Sequence, residues 1–288
     1  MSYDSIFRAG LFDGQVIIVT GGGSGIGRCI AHELAALGAH VVIMGRKAEK
    51  LAAVEAEIRS EGGKVSSQIC DIRDEEGVAT AIEAVLADQG RIDGLVNNAG
   101  GQFYSPLKDI STKGFEAVVR NNLTGGFNMM REVYNRWMAA NGGAIVNMIV
   151  DMWMGLPNFA HSGAARAGMY SLTQSAAAEW AASGVRVNSL AAGMIMSSGF
   201  DNYTGDAVDF IRQSAGNIPM QRVGTVSEVS AAISFLLSPG AAFITGTCLR
   251  VDGGGPNARR HLKLEPHGNS PRFQGFHLDS TPDLFRAS

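Results

Sequence analysis

Short apolar runs rich in β-branched residues alternate with longer amphipathic stretches along most of the chain. The amphipathic stretches repeat their apolar residues every three or four positions, which indicates helices, whereas the short runs are bounded by glycine or by a helix and indicate strands. Parallel strands need crossover connections, and here each connection carries a predicted helix. The pattern therefore predicts an α/β fold with a doubly wound parallel sheet of about seven strands. The predicted strands are residues 15–20, 40–44, 64–70, 91–98, 142–150, 184–191 and 248–254.

Length and charge limit the classes of protein that this chain can belong to. It has 288 residues, of which 45% are apolar, and a formal net charge of −3. An α/β fold of this length often forms one domain, so we expect a single domain over residues 1–256. Residues 257–288 are polar, aperiodic and punctuated by proline, which indicates a C-terminal extension rather than a second domain. The slightly negative balance disfavours a nucleic-acid partner, because such binding needs a concentrated basic face.

The cysteines and the apolar segments bear on metal binding and location. Cys29, Cys70 and Cys248 are far apart in sequence and match no metal-binding spacing, so we predict reduced thiols and no metal site. No apolar run approaches the roughly 18 residues that span a bilayer, and the N-terminal segment lacks the pattern of a secretory signal. The last three residues are Arg-Ala-Ser rather than a peroxisomal Ser-Lys-Leu. These features favour a cytoplasmic protein with no membrane partner.

The segment TGGGSGIG, residues 20–27, follows the first predicted strand directly and begins the first predicted helix. Glycines in such a turn allow backbone N–H groups to approach a pyrophosphate at the positive end of the helix. In this strand–turn–helix context, the motif predicts a Rossmann-type dinucleotide site rather than only a tight structural turn. The residues expected at the cofactor are Gly21, Ser24, Gly25, Ile26 and Gly27.

The end of the second predicted strand bears on the choice of cofactor. Sites specific for NAD commonly place a carboxylate there to bind the ribose hydroxyl groups. This chain instead has Arg46 and Lys47, whose positive charge favours a 2′-phosphate and hence NADP(H). The alternative is that both side chains are simply solvated at the start of the next helix.

Several motifs resemble those of the short-chain dehydrogenase/reductase family in order and spacing, over about residues 14 to 255. They are TGxxxGxG at 20–27, NNAG at 97–100, NNLTG at 121–125 and ITGTCLRVDGG at 244–254. The resemblance implies a homodimer or homotetramer, and it implies that Asn122 holds a catalytic water. It places Asp71, followed by Ile72, beside the adenine, although a capping role for Asp71 or Asp74 at the next helix is the alternative. The remaining implied cofactor contacts are Asn98, Ala99 and Gly100 at the ribose, and Ile195 and Ser197 at the nicotinamide carboxamide.

The residues that usually carry the chemistry of this family are substituted here. A YxxxK motif normally precedes AGxxxLT, and aligning ARAGMYSLT puts Ser162 at the tyrosine position and Arg166 at the lysine position. The serine usually found after the fifth strand should fall near Val150 or Asp151, and it is absent. Carbonyl reduction uses a phenol of lowered pKa to protonate the alkoxide as hydride arrives. An ordinary alcohol dehydrogenase is therefore disfavoured.

The stretches HSGAARAGMYSLT and GGQFYSPLKDIS resemble the branch of this family that contains the peroxisomal trans-2-enoyl-CoA and 2,4-dienoyl-CoA reductases. In those enzymes hydride adds to a C=C bond conjugated with a thioester, and hydrogen-bond donors can stabilise the enolate. The resemblance implies that Tyr170 relays the proton. Because residues 162, 166 and 170 are four positions apart on one predicted helix, they can face one cleft.

We therefore predict four catalytic residues. Ser162 donates to the thioester oxygen, Arg166 binds the nicotinamide ribose and keeps the local potential positive, and Tyr170 protonates the enolate carbon directly or through water. Asn122 holds the water. The alternative for Tyr170 is a packing residue against a partner subunit. Asp151 is a weaker candidate for positioning water, and His161 is interpreted as structural because it points about 100° away from Ser162 on the helix.

Substrate features complete the sequence-based expectations. Methionines and a tryptophan near the fifth and sixth strands predict either an acyl pocket or ordinary core: Met148, Met152, Trp153, Met154, Met194 and Met196. The basic residues Arg259, Arg260, His261 and Lys263 either meet coenzyme A phosphates or form a solvated face.

The predicted activity is NADPH-dependent reduction of the C=C bond of a 2-enoyl or 2,4-dienoyl-CoA thioester, with an acyl-CoA or another small molecule as partner. Two alternatives stay open. One is a carbonyl reductase or alcohol dehydrogenase with a substituted acid, and the other is a catalytically inactive NADP(H)-binding protein.

Overall fold

The computed structural model describes residues 2–258 and 263–286. Its strands are β1 (Val16–Thr20), β2 (His40–Gly45), β3 (Lys64–Ile69), β4 (Gly94–Asn97), β5 (Gly143–Val150), β6 (Val185–Ala192), β7 (Ile195–Met196), β8 (Gly224–Thr225) and β9 (Cys248–Val251). Seven of them form one parallel sheet in the order β3-β2-β1-β4-β5-β6-β9. These seven strands match the predicted runs to within a few residues. The short strands β7 and β8 pair only with each other, and their two residues each were too few to produce a detectable pattern.

Helices occupy the connections between the strands of the sheet. They are α1 (Gly25–Ala36), α2 (Ala48–Ser60), α3 (Glu75–Gln89), α4 (Thr112–Val119), α5 (Gly125–Val133), α6 (Ala139–Asn141), α7 (Ala160–Trp180), α8 (Asp206–Ser214) and α9 (Val226–Leu237). The segments α4, α5 and α6 are joined by two π-helical turns, Arg120–Thr124 and Tyr134–Met138. A π-turn inserts an extra residue into a helix and often marks a functional site.

The core consists of two apolar layers, one on each face of the sheet. Alternate residues of β1 serve the two layers: Ile17 packs with apolar side chains of α1, α2 and α9, whereas Ile18 packs with those of α3, α5 and α7. Both isoleucines are at most 1% exposed. Burying such a side chain contributes about 1.5–3 kcal/mol to stability. Because both faces of the sheet are covered, every position of a central strand is buried, and these strands are therefore continuous apolar runs. The predicted doubly wound Rossmann-type fold is confirmed.

The strand order places a crevice at the carboxyl ends of β1 and β4. These strands are neighbours in the sheet, but the chain continues from them toward opposite edges, and ligands of doubly wound sheets bind at such a point. The loops after the two strands are joined by hydrogen bonds. Asn98 donates from its side-chain amide to the carbonyl of Thr20 over 2.9 Å, and Thr20 Oγ1 accepts from the backbone N–H groups of Asn98 and Ala99.

The described part of the C-terminal extension, residues 263–286, packs against the domain without regular secondary structure beyond one turn, Asp283–Phe285. Phe276 is 3% exposed, and its backbone N–H donates to Ser227 Oγ on α9 over 3.0 Å. Gly275 accepts a hydrogen bond from the backbone N–H of Asp4. The extension therefore contributes to the core instead of lying free on the surface.

Within the described residues, no helix combines the length and the apolar character that crossing a bilayer requires.

Candidate active site

The glycine-rich loop after β1 leaves the first turn of α1 open to a ligand. Gly21 has a φ of +68°, a conformation that side chains disfavour. A Cβ atom on Gly27 would lie 2.3 Å from the carbonyl oxygen of Gly21, so the loop and the helix can be this close only without a side chain. Ser24 caps α1 in an extended conformation, but its side chain makes no capping hydrogen bond. The first N–H groups of α1 therefore remain free to bind a phosphate.

The loops after β1, β2, β3 and β4 enclose one cleft of about 360 Å³. The structure brings most of the predicted cofactor residues to this cleft: Gly21, Ser24, Arg46, Lys47, Asp71, Ile72, Ala99 and Gly100. Lys50, which the sequence analysis did not single out, lies there as well. Ile26 and Gly27 follow Gly25 in the first turn of α1.

The nicotinamide side of the predicted site meets the glycine-rich loop. Ser197 directly follows β7, whose first residue Ile195 is buried, and a Cβ on Gly25 would lie 3.8 Å from Ser197 Cβ. The segment after β6 therefore lies directly against the start of α1, as a dinucleotide that contacts both would require. The cleft as a whole fits a dinucleotide, because it combines a cradle that any Cβ would fill with an open helix N-terminus.

Charge is distributed unevenly around this cleft. Arg46 and Lys47 are exposed, and neither forms an ion pair with another described residue. Asp71 is already engaged, because Arg73 Nε donates to Asp71 Oδ1 over 2.8 Å and its backbone N–H donates to the same oxygen. The bond from Arg73 lowers the pKa of Asp71 to about 2. Asp74 makes no side-chain capping bond to α3, so neither aspartate caps that helix.

Asn122 and Ser162 meet beside the cofactor cleft. Asn122 is buried in the first π-turn, where its Oδ1 accepts from the backbone N–H of Gly101 over 2.9 Å and its Nδ2 donates to the Gly101 carbonyl over 3.0 Å. The same Nδ2 lies 3.4 Å from Ser162 Oγ on α7. Ser162 is fully buried. The π-turn thus aims an amide group at the serine that stands at the usual tyrosine position.

Arg166 lies one turn beyond Ser162 and holds a buried positive charge. Its Nη1 donates to the Met148 carbonyl over 2.6 Å, and a Cβ on Gly100 would fall 2.2 Å from its Nη2. No described carboxylate pairs with it, and its Nε has no hydrogen-bond partner among the described residues. Burial lowers the pKa of the guanidinium to about 10, so the group stays charged at neutral pH. An unpaired charge at such a site raises the local positive potential and favours a neighbouring negative charge.

The structure does not bring Tyr170 to this group. Its ring is half-buried with apolar neighbours and lies 6.2 Å from the ring of Trp153. Its hydroxyl accepts from Gln174 Nε2 over 3.5 Å. Tyr170 lines neither the cofactor cleft nor the neighbouring apolar pocket described below. The proton-relay role predicted from the resemblance therefore remains a prediction.

An apolar pocket of about 320 Å³ lies between β5, β6 and the segments that follow them. Of the methionines and tryptophan predicted to form an acyl pocket, only Met194 lines it. Met148 and Met152 belong to the core layers, while Trp153 and Met154 are 41% and 68% exposed. Most of the apolar wall is aromatic, formed by Phe159, Phe200, Tyr203 and Phe210.

Polar residues also line the apolar pocket, namely Gln102, Asp151, Asn158 and Asp252. Gln102 donates from Nε2 to the Tyr203 hydroxyl over 3.2 Å, and Asp151 is half-buried at the end of β5. Burial raises the pKa of Asp151, and the charge of Asp252 raises it further. The sequence analysis named Asp151 but missed Gln102, Asp252 and the aromatic wall, since these residues come from separate segments with no common spacing.

The remaining sequence-based candidates lie outside the site. His161 is buried, packs edge-on against Phe103 and accepts from the backbone N–H of Ser162 through Nδ1, in keeping with a structural role. Arg259, Arg260 and His261 lie outside the described residues, and Lys263 forms an exposed pair with Glu265.

Comparisons with known proteins give relatives over most of the chain. A family model described as Enoyl-(Acyl carrier protein) reductase matches residues 21–255. The peroxisomal 2,4-dienoyl-CoA reductase of Danio rerio is 36% identical over 256 residues, which cover 88% of this chain and 85% of that protein. The D-threitol dehydrogenase of Mycolicibacterium smegmatis is 35% identical over 259 residues, which cover 88% of this chain and 96% of that protein. Among solved structures, the citronellol catabolism dehydrogenase AtuB of Pseudomonas aeruginosa PAO1 is 58% identical, with a TM-score of 0.80 and coverage of 88% and 99% of the two chains.

The fold and the glycine-lined cleft, together with these relatives, define an oxidoreductase that uses a nicotinamide dinucleotide. The matched region includes every predicted catalytic and cofactor-binding residue. The chain belongs to the short-chain dehydrogenase/reductase family, as its motifs predicted. Because its relatives include a dienoyl-thioester reductase and a D-threitol dehydrogenase, family membership sets the type of reaction and leaves the substrate open.

Proposed function

We propose that this protein uses NADPH to reduce the C=C bond of a 2-enoyl or 2,4-dienoyl-CoA thioester. The observation that carries the proposal is the buried group of Asn122, Ser162 and Arg166, which offers hydrogen-bond donors and a fixed positive charge but no phenol. Such a group suits a reaction in which negative charge must be stabilised on oxygen while the proton is delivered elsewhere.

The chemistry of the two candidate reactions explains the preference. Reducing a carbonyl leaves an alkoxide that needs an acid at the oxygen itself, and neither serine nor a charged arginine is a suitable acid near neutral pH. Reducing a conjugated C=C bond leaves an enolate, whose oxygen needs only stabilisation because the proton goes to carbon. Donation by Ser162, which Asn122 Nδ2 holds in place, and the charge of Arg166 supply that stabilisation.

Each residue of the site then has its own role in the reaction. NADPH, when bound, supplies the hydride. Arg166 orients the nicotinamide ribose and keeps the local potential positive, which stabilises negative charge on the substrate. Ser162 donates a hydrogen bond to the thioester oxygen. Asn122 holds a water at the serine, and Tyr170 is the residue that we propose to relay the proton through water. The apolar pocket lined by Phe159 receives the acyl chain and excludes water from it.

The choice of NADPH over NADH rests on the rim of the cleft. Arg46 and Lys47 have no carboxylate partner among the described residues, and Lys50 lies beside them in the same cleft, so a 2′-phosphate would meet two or three positive charges. Arg46→Ala should raise the KM for NADPH by roughly 10- to 100-fold, as expected for a charged hydrogen bond of about 1.5–3 kcal/mol. The KM for NADH should change little. Arg59→Ala, an exposed arginine on α2, is the matched control, and equal effects on both cofactors would contradict the assignment.

The decisive experiment compares substrates. NADPH consumption is followed with crotonyl-CoA, 2-decenoyl-CoA and 2,4-decadienoyl-CoA, beside a panel of ketones and of polyols with the oxidised cofactor. Turnover confined to thioesters supports the proposal, and turnover confined to ketones or polyols overturns it. Tight NADPH binding without any turnover would favour the inactive binding protein instead. Ser162→Ala should lose most thioester turnover, whereas Ser171→Ala, an exposed serine on the same helix, should not.

A carbonyl or polyol reaction is the second candidate, and one observation favours it. The D-threitol dehydrogenase relative is as similar in sequence as the dienoyl-CoA reductase relative. In that case Asp151, whose raised pKa makes it a better acid than an exposed aspartate, is the group at the pocket that would replace the missing tyrosine. Asp151→Asn would then abolish ketone turnover.

Location and assembly are also part of the proposal. We infer a cytoplasmic protein because Cys29, Cys70 and Cys248 are free thiols, as expected in a reducing compartment, and a homodimer or homotetramer from the family resemblance. Light scattering coupled to size-exclusion chromatography tests the assembly directly.

A further inference from the structure

The packing of the C-terminal extension brings together three side chains that are far apart in sequence. They are His32 on α1, Glu61 directly after α2, and His277 in the extension. His32 Nδ1 lies 3.3 Å from Glu61 Oε2, and His277 Nε2 lies 2.7 Å from Glu61 Oε1. One candidate ligand atom from each residue lies within 4.8 Å of the other two. None of the three lines the cofactor cleft or the apolar pocket.

His32 lies between two carboxylates. Its Nδ1 faces Glu61 while its Nε2 lies 3.1 Å from Glu57 Oε2. The side chain is fully buried, so water does not reach either nitrogen. A neutral imidazole has one N–H donor and one bare lone pair, so it donates to only one of these carboxylates. The other nitrogen then needs a cation between it and the facing carboxylate, and a second proton or a metal ion would serve.

The surroundings fix which nitrogen carries the proton. Arg28 donates to both oxygens of Glu57, over 2.7 and 2.8 Å, which holds Glu57 in place and pairs its charge. Glu57 is therefore a ready acceptor for an N–H at His32 Nε2. The lone pair of Nδ1 then points toward Glu61, whose recorded ion-pair partners in the described residues are only the two histidines.

We propose that His32 Nδ1, the Glu61 carboxylate and His277 Nε2 bind one Zn²⁺ ion, which fastens the C-terminal extension to α1 and α2. Imidazole nitrogen and carboxylate oxygen are ordinary zinc ligands. The contact from His32 Nε2 to Glu57 supplies the carboxylate that usually orients a metal-bound histidine.

The geometry is close to what zinc requires. Tetrahedral ligands at about 2.0–2.1 Å from the ion are roughly 3.3 Å apart. The distance from His32 Nδ1 to Glu61 Oε2 is 3.3 Å, which already matches this spacing. The ligand atom of His277 lies within 4.8 Å of the other two, so its ring would move closer by at most about 1.5 Å. A cavity of about 220 Å³ lined by His32 and Glu61 leaves room for a water as the fourth ligand and for entry of the ion.

The sequence predicted no metal site because a spacing motif detects only ligands that lie close together in the chain. Here 29 residues separate His32 from Glu61, and 216 residues separate Glu61 from His277. The histidine from the extension completes the group, and only folding brings it there.

Metal titration of the full-length protein tests the proposal. After treatment with EDTA and its removal, Co²⁺ is added as a spectroscopic probe, and Zn²⁺ is then added to displace it. We expect one equivalent of Co²⁺ per chain, the visible absorption of a tetrahedral site, and its loss on adding Zn²⁺. Saturating Zn²⁺ should raise the Tm by several degrees, since a ligand of the folded state alone stabilises it.

Two variants and one matched control identify the ligands. His277→Gln and Glu61→Gln should lose both the Co²⁺ spectrum and the Tm shift, with NADPH binding as the check that each variant is folded. His267→Gln, an exposed histidine of the same extension, should keep both. Failure of the unmodified protein to bind one equivalent overturns the proposal, as does binding that survives in His277→Gln. A Tm that responds to pH but not to Zn²⁺ would assign the group to histidine protonation instead.

Discussion

Arg166 keeps a positive charge in a place where proteins seldom leave one unpaired. Removing a cation from water is expensive, and the recorded hydrogen bond of this guanidinium is to a single backbone carbonyl, that of Met148. Arginine tolerates such a position better than lysine because its charge is delocalised and weakly hydrated. The free-energy cost of burying this charge has a functional reason if the guanidinium stabilises an anion in the cleft, such as the proposed enolate.

Removing this charge should therefore reduce turnover more than stability. We expect Arg166→Met to lower kcat/KM for the dienoyl thioester by about 10²- to 10³-fold, the effect of losing one donor that stabilises an oxyanion. Arg166→Lys should retain more activity than Arg166→Met because it keeps the charge. Steady-state kinetics with the NADPH dissociation constant measured separately divide the effect between binding and catalysis.

Arg186 provides the comparison for this experiment, because it is also partly buried and donates to backbone carbonyls at the end of α9. Arg186→Met should lower the Tm while leaving kcat/KM within about twofold, as for a residue away from the chemistry. If both variants lost activity to the same extent, general destabilisation would explain the result and the role given to Arg166 would be wrong.

The role of Tyr170 depends on its hydroxyl alone, which makes it simple to test. Tyr170→Phe keeps the half-buried ring and its contact with Trp153 and removes the oxygen. If the hydroxyl relays the proton, kcat should fall by about 10²-fold or more, the range for general acid catalysis, with little change in KM. A solvent isotope effect on kcat that changes in the variant would support the relay. Tyr134→Phe, which removes a hydroxyl that contacts Ser183, is the control, and full activity in Tyr170→Phe would leave a packing role.

At the level of secondary-structure elements, the features that the sequence predicted are formed by residues close together in the chain, whereas those it missed are formed by residues far apart. The central strands and the glycine-rich loop follow from neighbours in sequence, so periodicity and spacing located them. The pocket lined by Phe159 and Tyr203 did not follow, because its residues come from segments that meet only after the sheet forms. For the methionines near β5 and β6, the sequence predicted either an acyl pocket or ordinary core, and the pleat of β5 places Met148 in the core.

The loop after β4 shows how closely one element positions another. A Cβ on Gly100 would lie 2.2 Å from Arg166 Nη2 and 2.9 Å from Asn122 Oδ1, whereas a Cβ on Gly101 would meet only the tip of the Asn121 side chain at 3.2 Å. Gly100→Ala should therefore displace the side chains of Arg166 and Asn122. If these have the proposed roles, kcat/KM should fall by about 10²-fold, the effect of a misplacement of about 1 Å. Gly101→Ala should be nearly silent. Equal activity in the two alanine variants would contradict this account of the site, and circular dichroism checks that both are folded.

At the level of the whole molecule, the C-terminal extension behaves as part of the core although its sequence has no period. Apolar periodicity detects helices and strands, whereas the extension is held by single side chains and by backbone hydrogen bonds, such as that from Phe276 to Ser227. Phe276 also lies against Tyr3 and His32, with ring centroids 6.0 and 5.1 Å away. The two ends of the chain are therefore packed together on α1, which composition alone could not reveal.

Phe276 should consequently be an anchor for the folded state of the entire chain. Phe276→Ala is expected to reduce the free energy of unfolding by about 3–5 kcal/mol, because it removes a buried aromatic ring and leaves a cavity. Phe243→Ala provides the matched control, since Phe243 is fully exposed at 104% and its loss should change stability by less than about 0.5 kcal/mol. Urea denaturation followed by fluorescence measures both at one protein concentration, so that any assembly contributes equally. If Phe276→Ala were as stable as Phe243→Ala, the extension would not be anchored through this ring.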